Sequence, residues 1–367
     1  MTREITVSVI KADIGGFVGH GQVHPEVVAR VRAHLEEEGP RRGLIDLHVT
    51  SVGDDIVCVV THRRGPDDAA VHGLAWEAFL AGTEVARRLK LYGAGQDLLS
   101  DSFSGNVRGL GPGVAEMTFV ERPSEPIVVL MADKTEPGAW NLPLYRIFAD
   151  PFNTPGLVID PKLHAGFRFD ILDLHTDRRI SLFTPEESYD ALVFLGATSR
   201  YAIQAVHSRA LGTVAAACST QRLSRIAGRY VGKDDPVALL RCQNGLPAVG
   251  EVLEPFATPH LVAGWMRGSH AGPLMPVALA DATPSRFDGP PRVAAIGFQL
   301  AEGRLVGPRD LFGDVAFDGA RREALEMAAY LRRMGPFQPH RLPLDEMEYT
   351  TLPEVAARLA GRWSVSG

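Results

Sequence analysis

Strand-like, β-branched runs in this chain repeatedly adjoin aspartate, and that recurrence constrains the fold more than any other feature. The run Ile5-Thr6-Val7-Ser8-Val9-Ile10 alternates and passes straight into Lys11-Ala12-Asp13. Residues 45–51 and 56–62 read as a hairpin whose turn, Val52-Gly53-Asp54-Asp55, carries two adjacent carboxylates. Residues 126–131 deliver Ala132-Asp133-Lys134, and Gly232-Lys233-Asp234-Asp235-Pro236 precedes a further strand at 237–242. Helical stripes are expected from residue 25 to about 38, with Val27, Val28, Val31 and Leu35 inward, and from about 66 to 91, opened by Asp67-Asp68 as cap and first-turn charge. Further helices are expected near 185–207, 319–334 and 353–362, whereas prolines make 137–161 an extended connection. Strands and helices interleave without a βαβ rhythm, a repeat or a linker. One α+β domain over residues 1–367 is the simplest account.

Composition narrows the function. The 367 residues carry 38 basic and 44 acidic side chains, and 45% are apolar, so a large core can form without staples. Cys58, Cys218 and Cys242 are too scattered for a disulfide framework or a zinc site. No apolar run approaches the roughly 18 residues of a membrane span, and the opening residues lack a signal peptide's apolar stretch. A net charge of -6 without a basic block speaks against nucleic acid as a partner. A cytoplasmic enzyme is expected.

Lysine is scarce. Five of the 38 basic residues are lysine, and Lys11, Lys134 and Lys233 sit within two residues of aspartate. Arginine keeps its proton near neutral pH, whereas a desolvated lysine can lose it. Residues 92–113 form a long glycine-rich polar segment, the kind of loop that usually carries function.

Oxygen-rich clusters suit hard cations such as Mg²⁺. Asp13, His20, Asp54, Asp55, Gln96, Asp133, Asp234 and Asp235 recur at strand ends and turns, where gathering them without cations would be costly. The plain alternative is a set of solvated turn aspartates. Tyr230 and Lys233 form the sharpest local pair: a deprotonated amine can attack a ketone, and a tyrosine can pass protons. Gly-Lys-Asp-Asp-Pro is equally good turn chemistry, and spacing alone does not choose.

The segments SVIKADIGG, HVTSVGDDI, LYGAGQDLLSDSFSGNVRGLGPGVAEM, MADKTEPGAWNLPLYRIFADPFNTPGLVIDP, AGRYVGKDDPV, GWMRGSHAGPLMPV, SRFDGPPR and EMEYTTLP together resemble the fructose-1,6-bisphosphate aldolase/phosphatase family. The likeness runs from about Ile5 to Leu352. It implies a single-domain four-layer α-β-β-α sandwich with mostly antiparallel sheets, several Mg²⁺ ions per site and a homo-octamer. It implies two gluconeogenic reactions. Dihydroxyacetone phosphate condenses with glyceraldehyde 3-phosphate, and the 1-phosphate of the resulting fructose 1,6-bisphosphate is then hydrolysed to leave fructose 6-phosphate. An Mg²⁺-dependent phosphatase without aldolase activity is the alternative. By this resemblance Lys233 is the Schiff-base lysine and Tyr230 its proton donor and acceptor. The metal ligands are Asp13, His20, Asp54, Asp55, Gln96, Asp133, Asp234 and Asp235. The substrate contacts are His20, Tyr92, Gly105, Asn106, Lys134, Gln243, Asn244, Arg267, Asp288 and Tyr349. Asn244 stands where related sequences are expected to carry histidine. Both chemistries need residues 230–235 turned inward in different ways, so this segment is expected to switch, with Gly228 and Gly232 as its hinges.

Overall fold

A computed structural model describes residues 4–98, 112–174, 178–219, 221–222, 236–286 and 289–334. In chain order the first strands are β1 (Glu4–Asp13), β2 (Gly16–Phe17), β3 (Gln22–Val23), β4 (Leu44–Val52), β5 (Asp55–His62), β6 (Gly113–Val120) and β7 (Glu125–Asp133). They are followed by β8 (Phe167–Asp173), β9 (Arg178–Phe183), β10 (Tyr201–Ser208), β11 (Thr213–Cys218), β12 (Gln221–Arg222) and β13 (Val237–Arg241). The last are β14 (Leu261–Gly264), β15 (His270–Pro273), β16 (Met275–Pro276), β17 (Arg292–Ala301) and β18 (Arg304–Asp310). One sheet has the order β12-β6-β1-β5-β4 and is antiparallel throughout. The larger sheet runs β16-β17-β7-β13-β11-β10-β8-β9, with β18 on β17, and only its β16–β17 pair is parallel. The class is α+β with mostly antiparallel sheets.

Period-two alternation sets the faces. Val7 and Val9 of β1, Val57 and Val59 of β5, and Ile127, Val129 and Met131 of β7 share one core drawn from both sheets. The intervening residues Ile10, Ala12, Ile56 and Cys58 face away from it. They pack with Val27, Val31 and Leu35 of α1 (Pro25–Arg42) and Phe79 of α2 (Ala69–Arg88). On β7 the alternate residues Val128, Leu130 and Ala132 join Trp140, Leu144 and Phe148. A one-residue slip in any of these strands would exchange its two buried sets, so register is strongly fixed. Asp68 caps α2 as expected, accepting the amides of Ala70 and Val71.

Three expectations are corrected. Residues 137–161 are not an extended connection: they form a 3₁₀ turn (Pro137–Trp140), the helix α3 (Asn141–Ala149) and a short helix (Gly156–Ile159). Pro137 and Pro143 sit in first turns, where a missing amide costs nothing, and Trp140, Leu144 and Phe148 are fully buried. The stretch 185–207 is not one helix: a helix (Ser188–Leu195) gives way after Gly196 to β10. The hairpin turn is tighter than expected, because Asp55 already belongs to β5 and pairs with Val52. Among the described residues no helix is long and apolar enough to cross a membrane. The expected helix at 353–362 lies outside the described residues.

Candidate active site

The inter-sheet core ends in carboxylates because the same alternation continues past its last apolar residue. Asp13 follows Val7, Val9 and Lys11 on one face of β1, Asp55 precedes Val57 and Val59 on β5, and Asp133 follows Met131 on β7. Asp13 and Asp55 are direct cross-strand partners. All are deeply enclosed: Asp13 is 8% exposed, Asp54 3%, Asp55 1% and Asp133 0%.

The hairpin turn brings the fourth carboxylate in. Gly53, at φ 58°, lies so close to Asp133 that an added Cβ would stand 2.1 Å from its Oδ1. Asp54, next in the turn, accepts from Lys134 Nζ at 2.8 Å on Oδ1 and contacts His20 Nδ1 at 3.0 Å on Oδ2. Burial alone would raise the Asp54 pKa, but the Lys134 ammonium and His20 override it and hold the carboxyl below the usual range. Asp133 behaves oppositely. Burial pushes its pKa up to about 6, Lys134 opposing and Asp54 reinforcing the shift. Lys134 Nζ stands 3.2 Å from Asp133 Oδ1, yet neither Asp133 oxygen accepts a hydrogen bond from the described residues. Lys134 reaches this position from a left-handed backbone, φ 63°, a conformation that costs a lysine on the order of 1 kcal/mol.

Residues 92–98 close one side. Gly16 and Tyr92 exchange backbone hydrogen bonds at 2.8 and 3.1 Å, and the Tyr92 ring meets His20 edge-on with centroids 4.6 Å apart. The Asp97 carboxylate accepts the Asp13 amide at 2.8 Å. Gln96 opens the 3₁₀ turn Gln96–Leu98 that also holds Asp97, and its buried Oε1 has no hydrogen-bond partner among the described residues. Arg267 lies in the one-turn helix Trp265–Gly268, which Gly264 sets against the Thr135 backbone, 2.6 Å from where its Cβ would be.

Asp13, His20, Asp54, Asp55, Tyr92, Gln96, Asp133 and Lys134 are therefore brought to one end of the sheets. Gln243 and Asn244 are not. They follow Arg241, which pairs with Ile127, and Arg122 grips the Gln243 carbonyl beside Glu125. Glu125 and Asp133 are the two ends of one strand, about 26 Å apart at ~3.3 Å per residue. The Asn244 amide is tied there to the Ser124 carbonyl at 3.0 Å. Gly105, Asn106, Tyr230, Lys233, Asp234, Asp235, Asp288 and Tyr349 lie outside the described residues. Described flanks of two of these stretches meet the acidic end. Gly113 pairs with both Lys11 and Arg222, and the Pro236 carbonyl accepts the Ala132 amide at 3.0 Å.

Sequence reasoning left two buried residues out of the site. Lys11 is wholly enclosed, its Nζ 2.7 Å from Asp55 Oδ2, and lysine scarcity was the signal that pointed at it. Asp97 had no signal beyond its place in the glycine-rich segment. The donor chemistry fits a hard divalent cation: all-oxygen carboxylates, one of them desolvated and not hydrogen-bonded. Among the described residues, no group of three or more His, Cys, Asp or Glu side chains is close enough to hold an ion unaided.

A family model described as fructose-1,6-bisphosphatase matches residues 4–364. The chain belongs to the fructose-1,6-bisphosphatase family. Three relatives are similar over nearly their whole length. The fructose-1,6-bisphosphate aldolase/phosphatase of Moorella thermoacetica is 66% identical over 99% of this chain and 95% of its own. That of Ignicoccus hospitalis is 61% identical over 99% and 94%, and that of Methanothermobacter marburgensis 58% over 98% of each.

Proposed function

We propose that this fructose-1,6-bisphosphatase family member is a bifunctional gluconeogenic enzyme. It condenses dihydroxyacetone phosphate with glyceraldehyde 3-phosphate and hydrolyses the 1-phosphate of fructose 1,6-bisphosphate to leave fructose 6-phosphate. The observation that carries the reading is the full-length likeness to relatives named for both activities. The buried carboxylates at one end of the inter-sheet core support it.

In this reading Asp13, His20, Asp54, Asp55, Gln96 and Asp133, with Asp234 and Asp235, hold Mg²⁺. The bound ions supply Lewis-acid polarisation of the phosphoryl group. Lys134, already reaching into the site at Asp54 and Asp133, turns its ammonium to a substrate phosphate. Tyr92, Gly105, Asn106, Arg267, Asp288 and Tyr349 complete the substrate contacts, and His20 touches substrate as well as metal. For condensation, the Lys233 amine adds to the ketone of dihydroxyacetone phosphate with loss of water, and Tyr230 carries the protons. The flanks of residues 223–235 support that placement: Arg222 pairs with Gly113, the cross-strand partner of Lys11, and the Pro236 carbonyl accepts the Ala132 amide.

Gln243 and Asn244, too far from Asp133 within one chain, serve a neighbouring copy in the homo-octamer we also propose. Exposed leucines support such association: Leu142, Leu192 and Leu261, each more than 40% exposed, line one cavity of about 270 Å³. We further propose a single domain in four layers, supported by a core between the two sheets and one on the outer face of each, and a cytoplasmic location.

Two assays test the reading. Purified protein with Mg²⁺ should release phosphate from fructose 1,6-bisphosphate, and borohydride with dihydroxyacetone phosphate should trap an adduct on Lys233. Phosphate release without an adduct would leave only the phosphatase; the absence of both would overturn the proposal.

A further inference from the structure

We infer that Lys11 is a positioning residue: enclosed between the two sheets, it fixes Asp55 and presets the acidic end of the core before any divalent ion binds. The inference rests on the metal reading proposed above.

Lys11 sits where the inner face of β1 changes from apolar to acidic: Val7 and Val9 precede it and Asp13 follows. Its side chain is 0% exposed. Nζ stands 2.7 Å from Asp55 Oδ2 and donates to the Ala132 carbonyl at 2.6 Å. These partners belong to different sheets, Asp55 to β5 and Ala132 to β7, so one ammonium ties the two sheets together beneath the carboxylates. Lys11 pairs across the strands with Val57, which makes Asp55 its diagonal neighbour, within reach of a long side chain.

That placement answers an electrostatic conflict. Asp13 and Asp55 are direct cross-strand partners, and like charges in that relation repel. Asp133 adds a third buried carboxylate nearby. A buried ammonium is itself costly unless a carboxylate compensates it, and breaking such a pair leaves one charge stranded. Lys134 cannot take over this task. Its side chain is 13% exposed and reaches Asp54 and Asp133 from the strand end, not Asp55. Lys11 is enclosed between two sheets and cannot withdraw without parting them. The two lysines therefore hold different carboxylates: Lys134 meets Asp54 and Asp133, and Lys11 meets Asp55.

The test measures thermal unfolding midpoints of the full chain in chelator and in saturating Mg²⁺ or Mn²⁺. Lys11→Met removes the charge while keeping the length. Its metal-free midpoint should fall by at least about 5 °C, and saturating metal should recover half or more of that loss by supplying the missing charge. The double variant Lys11→Met/Asp55→Asn removes both members of the pair, so its metal-free midpoint should return to within about 2 °C of wild type. A packing role alone would lower the metal-free and metal-bound midpoints of Lys11→Met equally, and that result overturns the inference. So does a double variant no more stable than the single one. Should Lys11→Met prove insoluble, the double variant decides: a folded protein supports the inference and an insoluble one overturns it. A wild type unmoved by either ion would overturn the metal reading and this inference with it.

Discussion

Gly53 and Asp133 are packed so closely that any side chain on the first would occupy the carboxylate of the second, with an added Cβ 2.1 Å from Oδ1. The hairpin of one sheet is thereby seated on the strand end of the other. Asp54, carried in the same turn, comes within reach of Lys134. Backbone proximity assembles the site in spite of the repulsion between its acids.

Gly53→Ala should consequently disable the site at its geometry. The added methyl meets Asp133, and φ 58° is unfavourable for alanine, so we expect a loss of about 1–3 kcal/mol in stability. Mg²⁺-dependent phosphate release should drop at least tenfold. Urea denaturation and steady-state kinetics check both, and a variant with unchanged kinetics would contradict the seating.

Asp133→Asn separates stability from function. Lys134 only partly compensates the buried carboxylate, whose pKa is raised by that burial. The amide should leave metal-free stability equal or greater, within about 1 kcal/mol. Metal binding measured by calorimetry should weaken at least tenfold. Tighter binding by the variant would exclude Asp133 as a ligand.

Much of this was legible in the chain. Alternation placed β1, the β4–β5 hairpin and β7, and it put Asp13 and Asp133 at strand ends because valines and a methionine fixed which face is buried. The hairpin turn was misjudged by one residue at each end, since Val52 and Asp55 form a ladder pair that local turn chemistry does not reveal. Tertiary burial of Trp140, Leu144 and Phe148 overrode the proline count in residues 137–161. Lys11 was visible only as a rare residue: nothing local foretells that Asp55 and the Ala132 carbonyl, 44 and 121 residues away, will meet its ammonium. The distance of Gln243 from Asp133 follows from the antiparallel pairing of β13 with β7, which a linear motif does not encode.

At the opposite end of β7, Arg241 forks onto Glu125 at 2.9 and 2.7 Å while its guanidinium lies 3.9 Å over the Phe119 ring. Both residues are buried. Arg241→Met should cost about 3–5 kcal/mol by stranding Glu125, less whatever Arg122 recovers through its own fork on that carboxylate. Denaturant midpoints read the loss, and a change below 1 kcal/mol would show Arg122 to suffice.

Acid should weaken the fold partly through His260. Burial lowers its pKa to about 4, partly offset by a hydrogen bond to the Ala139 backbone. The unfolded chain takes up this proton near the ordinary value of about 6.5 and the folded one only near 4, so the unfolded state binds more protons between them. Stability contributed by the neutral ring is full above pH 6.5 and declines as pH falls towards 4, by up to about 3 kcal/mol. In His260→Gln the drop in denaturant midpoint between pH 7.5 and 5 should shrink; an equal drop would assign acid sensitivity elsewhere.

The most direct measurement is anomalous diffraction from crystals grown with Mn²⁺ and fructose 1,6-bisphosphate. The account predicts anomalous peaks within coordination distance of Asp13, Asp54, Asp55 and Asp133. Peaks confined to other surfaces, with Lys134 still bridging Asp54 and Asp133, would contradict it.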